Sequence, residues 1–283
     1  MPSFVDPPRW SFPSVESASG CFETMRAYRG KIFRLQAHLD RLKASATSLG
    51  LRLSIPLPQL GQRLIEALTA SRIQEAVVRV ALVPDAHRVA APSIVVQRIQ
   101  PPRPELYARG ITLAIVPTKR CSVNDVNPQV KFSARLGSVL AITEAQLRQA
   151  DEAVFLDTMG FVSESTASNL GMMRRGVFLT PPGWVGLLAG VTCQALIELA
   201  DALNIPVRET ILTRHDLYNA DEAFLTSTIK EVLPVTMIDG RRVGTGMPGP
   251  YTKRLHQTFR QLVVREGRGE SHDQRQLRRH DHC

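Results

Sequence analysis

Apolar residues along this 283-residue chain switch repeatedly between a spacing of two and a spacing near 3.6, which commits it to a mixed α/β fold. "CFETMRAYRGKIFRL" (21–35) alternates apolar and polar residues about Arg29-Gly30 and predicts a hairpin. "QAHLDRLKASATSLGL" (36–51) then places Leu39, Leu42, Ala46 and Leu49 at helical spacing, and "LPQLGQRLIEALTASR" predicts a second amphipathic helix. "EAVVRVALVP" and "PSIVVQRIQ" read as strands. Residues 1–116 are therefore expected to form a small N-terminal α/β domain, with 1–18 irregular because Pro and Ser dominate there.

"PTKRCSVNDVNPQ" (117–129) is polar, carries a proline near each end, and reads as an interdomain linker. Residues 130–264 form the expected larger domain. Its first helix follows Lys131, with an apolar stripe at Leu136, Val139, Leu140 and Leu147. "EAVFLDTMGFVSES" (152–165) predicts strand, turn, strand; "GVFLTPP" predicts another strand. "LLAGVTCQALIELADALN" carries a helical face at Leu196, Leu199, Ala200 and Leu203, with Thr192 a candidate N-cap. "EAFLTSTIKEVLPVTMIDG" predicts two strands about a Ser/Thr turn, and "GPYTKRLHQTFRQLVV" the last helix. The polar tail, 265–283, is expected to be disordered.

Composition narrows the function classes. The formal charge is +9, but the basic residues are scattered, with no run of five and no stripe interleaved with aromatics, so nucleic-acid binding is not expected. No apolar run is long enough to span a membrane, and "MPSFVDPPRWSFPS" lacks the pattern of a secretory signal, so a soluble cytoplasmic protein is expected. Cys21, Cys121, Cys193 and Cys283 lie far apart without zinc spacing, so they read as free thiols, and no metal site is expected.

The segment "NPQVKFSARLGSVL" sets Lys131 between an apolar approach and an apolar helix. Desolvation there would lower the pKa of the ammonium and make it a nucleophile; a solvated lysine at a helix start fits the same residues. "AGVT" (189–192) opens a helix whose N–H groups can bind an anion, "TST" (226–228) adds hydroxyls, and Arg41 could supply a fork to the same anion. Taken alone, each of these reads first as an N-cap, a turn or a solvated helix face. Glu164 follows a strand, where a carboxylate could hold a proton on a pyridine nitrogen. A nucleophilic lysine, a carboxylate and an anion cradle together describe a site for pyridoxal 5′-phosphate.

From "FETMRAYRGKIFRLQAHLDRL" to "GPYTKRL" the chain resembles the class IV (fold type IV) pyridoxal-phosphate enzymes: branched-chain aminotransferases, D-amino-acid aminotransferases and aminodeoxychorismate lyases. The resemblance rests on that first block, the lysine at 131, "DEAVFLDTMGFVSESTASN", "LLAGVT" and "ADEAFLTSTIKEVLPVTMIDG", in order. It implies a two-domain fold with a larger C-terminal pseudo-barrel, and a homodimer. It further implies Lys131 as the Schiff-base lysine and proton carrier, and Glu164 as the carboxylate on the pyridine nitrogen. Arg41, Val191, Thr192, Ser227 and Thr228 would hold the phosphate, and Leu188 would pack on the ring. Phe22 and Arg26 would lie on the substrate side.

Where lyase-like members carry Asn-Arg after the lysine, this chain has Ala134-Arg135, and the tyrosine of many aminotransferases is absent there. Arg135 therefore resembles the lyases, and a cation near the cofactor's O3′ would favour its phenolate. The lead-in that precedes the first block in relatives is replaced by "WSFPSVESASG". The expected activity is transamination between an amino acid, branched-chain type favoured, and a 2-oxo acid. The alternatives are a 4-amino-4-deoxychorismate lyase releasing pyruvate and 4-aminobenzoate, a D-amino-acid aminotransferase, or a non-catalytic relative that kept the fold.

Overall fold

The computed structural model describes residues 20–121 and 127–268. The irregular start, part of the linker, most of the tail and Cys283 lie outside the described residues.

The first sheet is built as the periodicity predicts. Strands β1 (Cys21–Tyr28) and β2 (Lys31–Ile32) form the hairpin, with Arg29 and Gly30 at φ 50° and 75° in its two-residue turn. Positive φ at both central residues matches the right-handed twist of the flanking strands. Helices α1 (Leu35–Ser48) and α2 (Leu57–Ser71) follow, with β3 (Arg52–Leu53) between them, then β4 (Ala76–Pro84) and β5 (Val89–Arg98). The strand order is β2-β1-β4-β5-β3. Leu39, Leu42 and Ala46 of α1 and Leu60, Leu64 and Leu68 of α2 are buried against Met25, Val78 and Val80 of the sheet.

The second sheet takes up the rest of the chain. After α3 (Pro104–Arg109) comes β6 (Ile111–Ile115), then α4 (Leu136–Leu147), β7 (Glu152–Leu156), β8 (Val162–Ser165), β9 (Asn169–Arg174) and β10 (Val177–Thr180). Helix α5 (Val191–Ala202), β11 (Val207–Glu209), α6 (Arg214–Tyr218), β12 (Glu222–Ser227), β13 (Glu231–Ile238), β14 (Arg241–Arg242) and α7 (Pro250–Gly267) complete it. The strand order is β11-β10-β9-β12-β13-β6-β7-β8, with β14 on β13. The sheet wraps Leu113, Val154, Leu170 and Leu225 on one side, while α5 and α7 bury Leu196, Leu199, Leu255 and Phe259 on the other.

Three features depart from the periodicity. Strand β6, read as the end of the N-terminal unit, pairs in parallel with β13 and β7 of the second sheet. Its partners lie far downstream, so nothing local marks the change of sheet. Helix α7 runs through Gly267, carrying Arg265 and Glu266 of the expected tail in helical structure; Glu266 pairs with Arg34 at 3.3 Å. Helix α4 is turned over. Its stripe is exposed, Leu136 by 71%, Val139 by 57%, Leu140 by 50% and Leu147 by 81%, while Ala141 and Ala145 are buried against Ala114, Ala153 and Phe155. Alanines let the helix lie close on β6 and β7, where leucines would hold it away.

Candidate active site

Lys131 is anchored across the gap between the two sheets. Its carbonyl accepts from the Phe22 amide at 3.1 Å, its own amide donates to Ser45 Oγ at 3.2 Å, and the next residue, Phe132, bridges to Cys21. The backbone is thereby held by β1 and α1, and the ammonium reaches Phe22, with Nζ 5.1 Å from the ring centroid. The guanidinium of Arg79, on β4, sits 5.0 Å from the same ring. Burial and the positive charge of Arg41 bring Lys131 down to about 8, with Arg135 adding to them and Glu23 and Glu164 opposing. Near neutral pH a sizeable fraction of such an amine is unprotonated and nucleophilic.

Arg41 closes the space from α1. Its Nε and Nη2 donate to the two oxygens of Glu23 at 2.6 and 2.7 Å, and its Nη1 donates to the Ala189 carbonyl at 2.6 Å. Glu23 is 1% exposed and also meets His38 Nδ1 at 2.8 Å. Burial would raise this carboxyl, but Arg41 and His38 outweigh it and hold it at about 2. Burial lowers His38, so its imidazole is neutral at pH 7 and donates its Nδ1–H in a hydrogen bond to the Glu23 carboxylate.

Ala189 leads directly into α5. The N-cap is Gly190, not Thr192, which lies one position inside the helix and is buried. A Cβ on Gly190 would stand 1.8 Å from Asn169 Oδ1, so only glycine lets the helix start lie against that side chain. Thr192 is not the cap because the helix begins one residue before it, and at the cap position itself Asn169, 21 residues away in sequence, takes the place a side chain would need. With no side-chain cap, the first N–H groups at Val191 and Thr192 keep the positive end of a helix of 12 residues open to an anion. A cavity of about 420 Å³ opens here, with Arg41, Asn169, Gly190, Val191 and Cys193 in its wall.

Glu164 and Leu188 meet directly: the Leu188 amide donates to Glu164 Oε2 at 3.2 Å. Asn169 Nδ2 joins them, donating to Glu164 Oε2 at 3.2 Å and to the Leu188 carbonyl at 2.8 Å. Arg120 pairs with Glu164 Oε1 at 2.7 Å, and its Nε donates to the Gly186 carbonyl at 2.7 Å. Burial raises Glu164 in spite of Arg120, so the carboxylate can share a proton with a neighbouring base. Arg135 turns inward and donates to the Thr166 carbonyl, which also accepts from Ser138 Oγ at 3.1 Å.

Ser227 ends β12 and Thr228 begins the turn to β13, both half-buried; Ser227 Oγ accepts from the Lys230 amide at 3.1 Å. Arg26 is held elsewhere. Its Nη1 pairs with Glu231 at 2.9 Å and touches the Ile229 carbonyl at 3.4 Å, so it braces the turn from behind and makes no contact with Lys131.

Sequence reading did not single out Glu23, Arg79, Arg120 or Asn169. Glu23 and Arg79 are charged residues within strands that are otherwise largely apolar, the only local signal they gave. Arg120 sits in the segment read as a linker, yet its amide is bonded to the Leu156 carbonyl at 2.9 Å.

The residues present suit pyridoxal phosphate: an amine of lowered pKa, a buried carboxylate able to share a proton, and an uncapped helix start that a Cβ would close.

The profile of the family described as amino-transferase class IV matches residues 20–238. A protein of Methanocaldococcus jannaschii assigned as a branched-chain-amino-acid aminotransferase is 36% identical over 88% of this chain and 88% of its own length. The D-alanine aminotransferase of Bacillus licheniformis is 30% identical over 87% of this chain and 88% of its own. Among solved structures, the branched-chain aminotransferase of Escherichia coli superposes with a TM-score of 0.84 at 30% identity, covering 90% of this chain and 87% of that one. The holo-form of the branched-chain aminotransferase of Thermobaculum terrenum, which holds pyridoxal phosphate, gives 0.84 at 25% identity, covering 92% and 90%. The chain thus belongs to the class IV, pyridoxal-phosphate-dependent aminotransferase family, in the group of the branched-chain and D-amino-acid aminotransferases.

Proposed function

We propose that this protein transfers an amino group from a branched-chain amino acid to a 2-oxo acid, using pyridoxal 5′-phosphate held by Lys131. The reading is supported by Lys131, lowered to about 8 with Arg41 and Glu164 among the charges that act on it, and by Arg41, which also lines the cavity at the uncapped start of α5. Pyridoxal phosphate, when bound, supplies an electron sink that stabilises negative charge at the substrate Cα.

The chain's own residues divide the remaining tasks. Lys131 Nζ would be the nucleophile that holds the cofactor and the base that takes and returns the substrate Cα proton. Glu164 would keep a proton on the ring nitrogen, and Leu188, whose amide donates to Glu164, would be the apolar residue for the ring. Arg41 and the positive end of α5 would balance the phosphate charge, and Ser227 and Thr228 would add hydrogen-bond donors. Arg79, over the Phe22 ring that Lys131 also reaches, would give a substrate carboxylate a cationic partner beside an apolar wall. Branched-chain donors are favoured because the relative with highest identity among those above is assigned to that activity.

Purified protein should absorb at about 400 nm through the imine, and Lys131→Ala should abolish the band. Adding L-leucine alone should convert the band to the amine form. Conversion by D-alanine only, or pyruvate release from 4-amino-4-deoxychorismate, would replace the branched-chain assignment. Lack of any band at saturating pyridoxal phosphate would refute the proposal.

A further inference from the structure

The loop at 165–168 joins β8 to β9 and the turn at 227–230 joins β12 to β13; β9 and β12 pair, with Asn169 opposite Thr226, whereas β8 and β13 do not. Strand β8 lies at one edge of the second sheet, three strands away from β13. The ladder thus holds the β9 and β12 arms of the loop and the turn together, and on the side of β8 and β13, where no ladder joins them, a chain of side chains spans the distance. Lys230 Nζ lies 2.5 Å from Oε2 of Glu152, the first residue of β7, which is 5% exposed. The other oxygen of Glu152 accepts from Thr166 Oγ1 at 2.6 Å and from the Ala153 amide at 3.1 Å. The carbonyl of that same Thr166 holds Arg135. On the turn side, the Lys230 amide donates to Ser227 Oγ at 3.1 Å and the Lys230 carbonyl accepts from Tyr107 at 2.9 Å.

We propose that Lys230 is a positioning residue: its ion pair with Glu152 clamps the 227–230 turn to the 165–168 loop, and through Thr166 sets the distance between that turn and Arg135. The inference rests on the proposed function, because it takes the turn and Arg135 as parts of the cofactor and substrate site. A buried carboxylate needs a charged partner, and Lys230 outweighs burial to keep Glu152 below its usual range. Lys230 lies three residues past Ser227, so its contact with Glu152 governs where the preceding N–H and hydroxyl groups point. Displacement of such groups weakens binding of the anion they hold without altering the lysine that does the chemistry.

The test uses the holoenzymes of Lys230→Met, Lys230→Arg, Glu152→Gln and the double variant Lys230→Met/Glu152→Gln. Two quantities are read: the rate at which pyridoxal phosphate is lost on dialysis, and KM against kcat for an amino donor. Lys230→Met should lose the cofactor or raise KM about tenfold, with kcat within about threefold of wild type. Lys230→Arg should restore both to within about threefold, and the double variant should be no worse than Lys230→Met, as expected for two residues acting as one unit.

A fall in Tm with unchanged cofactor loss and KM would mean a purely structural pair and would overturn the proposal; so would additive losses in the double variant. If Lys230→Met does not fold, Thr166→Val decides. It removes the hydroxyl while keeping the carbonyl that holds Arg135, and unchanged kinetics there would likewise overturn the clamp. Wild-type protein that binds pyridoxal phosphate but shows no band change with any amino donor would instead bring down the transamination reading, and the dialysis rates would still judge the clamp.

Discussion

Replacing Glu23 by glutamine isolates the interaction that fixes Arg41. The carboxylate is 1% exposed and accepts three charge-assisted or neutral hydrogen bonds, two from Arg41 at 2.6 and 2.7 Å and one from His38 at 2.8 Å. Its pKa falls from 4.5 to about 2 on folding, because Arg41 and His38 outweigh burial. That lowering corresponds to about 3 kcal/mol, within the range for losing one partner of a buried ion pair.

The folded pKa lies below the unfolded one, so the stabilisation is fully present above about pH 4.5 and disappears as pH falls through about 2. Urea denaturation at pH 7 should place Glu23→Gln about 3 kcal/mol below wild type. By pH 3.5 the gap should have shrunk by about 1 kcal/mol, as the unfolded wild type takes up its proton. Glu231, also held at about 2, is common to both proteins and cancels in the difference. A gap below about 1 kcal/mol at pH 7, or one that stays constant down to pH 3.5, would refute the reasoning.

Three further outcomes follow from the geometry. Gly190→Ala should lose about 1–3 kcal/mol by thermal denaturation and release bound pyridoxal phosphate faster, since the new Cβ would stand 1.8 Å from Asn169 Oδ1 and must push that side chain off Glu164. The rate of chemical labelling of Lys131 in cofactor-free protein should rise with pH through about 8, the direction in which the amine becomes neutral; a midpoint near 10.5 would contradict the burial assigned to it. Leu147→Ser, at a side chain 81% exposed, should change the stability of the isolated chain by no more than about 0.5 kcal/mol in urea, whereas Ala145→Leu on the buried face of α4 should cost about 1–3 kcal/mol.

Much of the fold follows from neighbours within a few residues. The hairpin at Arg29-Gly30, α1, α2, α5 and the strand pair about Ser227 and Thr228 all lie where periodicity and turn chemistry predict them, since those signals are local. Helix α4 also exists where expected, but its orientation follows shape rather than hydrophobicity. The same twelve residues offer a leucine-rich face and an alanine face, and close packing on β6 and β7 selects the alanines.

From the sequence by itself come the mixed α/β class, the ordered motifs of an aminotransferase and the identity of Lys131, Glu164 and Arg41 as candidates. What only the folded chain decides is which groups stand beside them. Glu23 orients Arg41, Arg120 neutralises Glu164 from 44 positions upstream, Gly190 leaves the start of α5 open, and β6 crosses into the second sheet. Electrostatic partners act over a few ångströms of space and are indifferent to chain separation, so no short-range pattern of residue types encodes them.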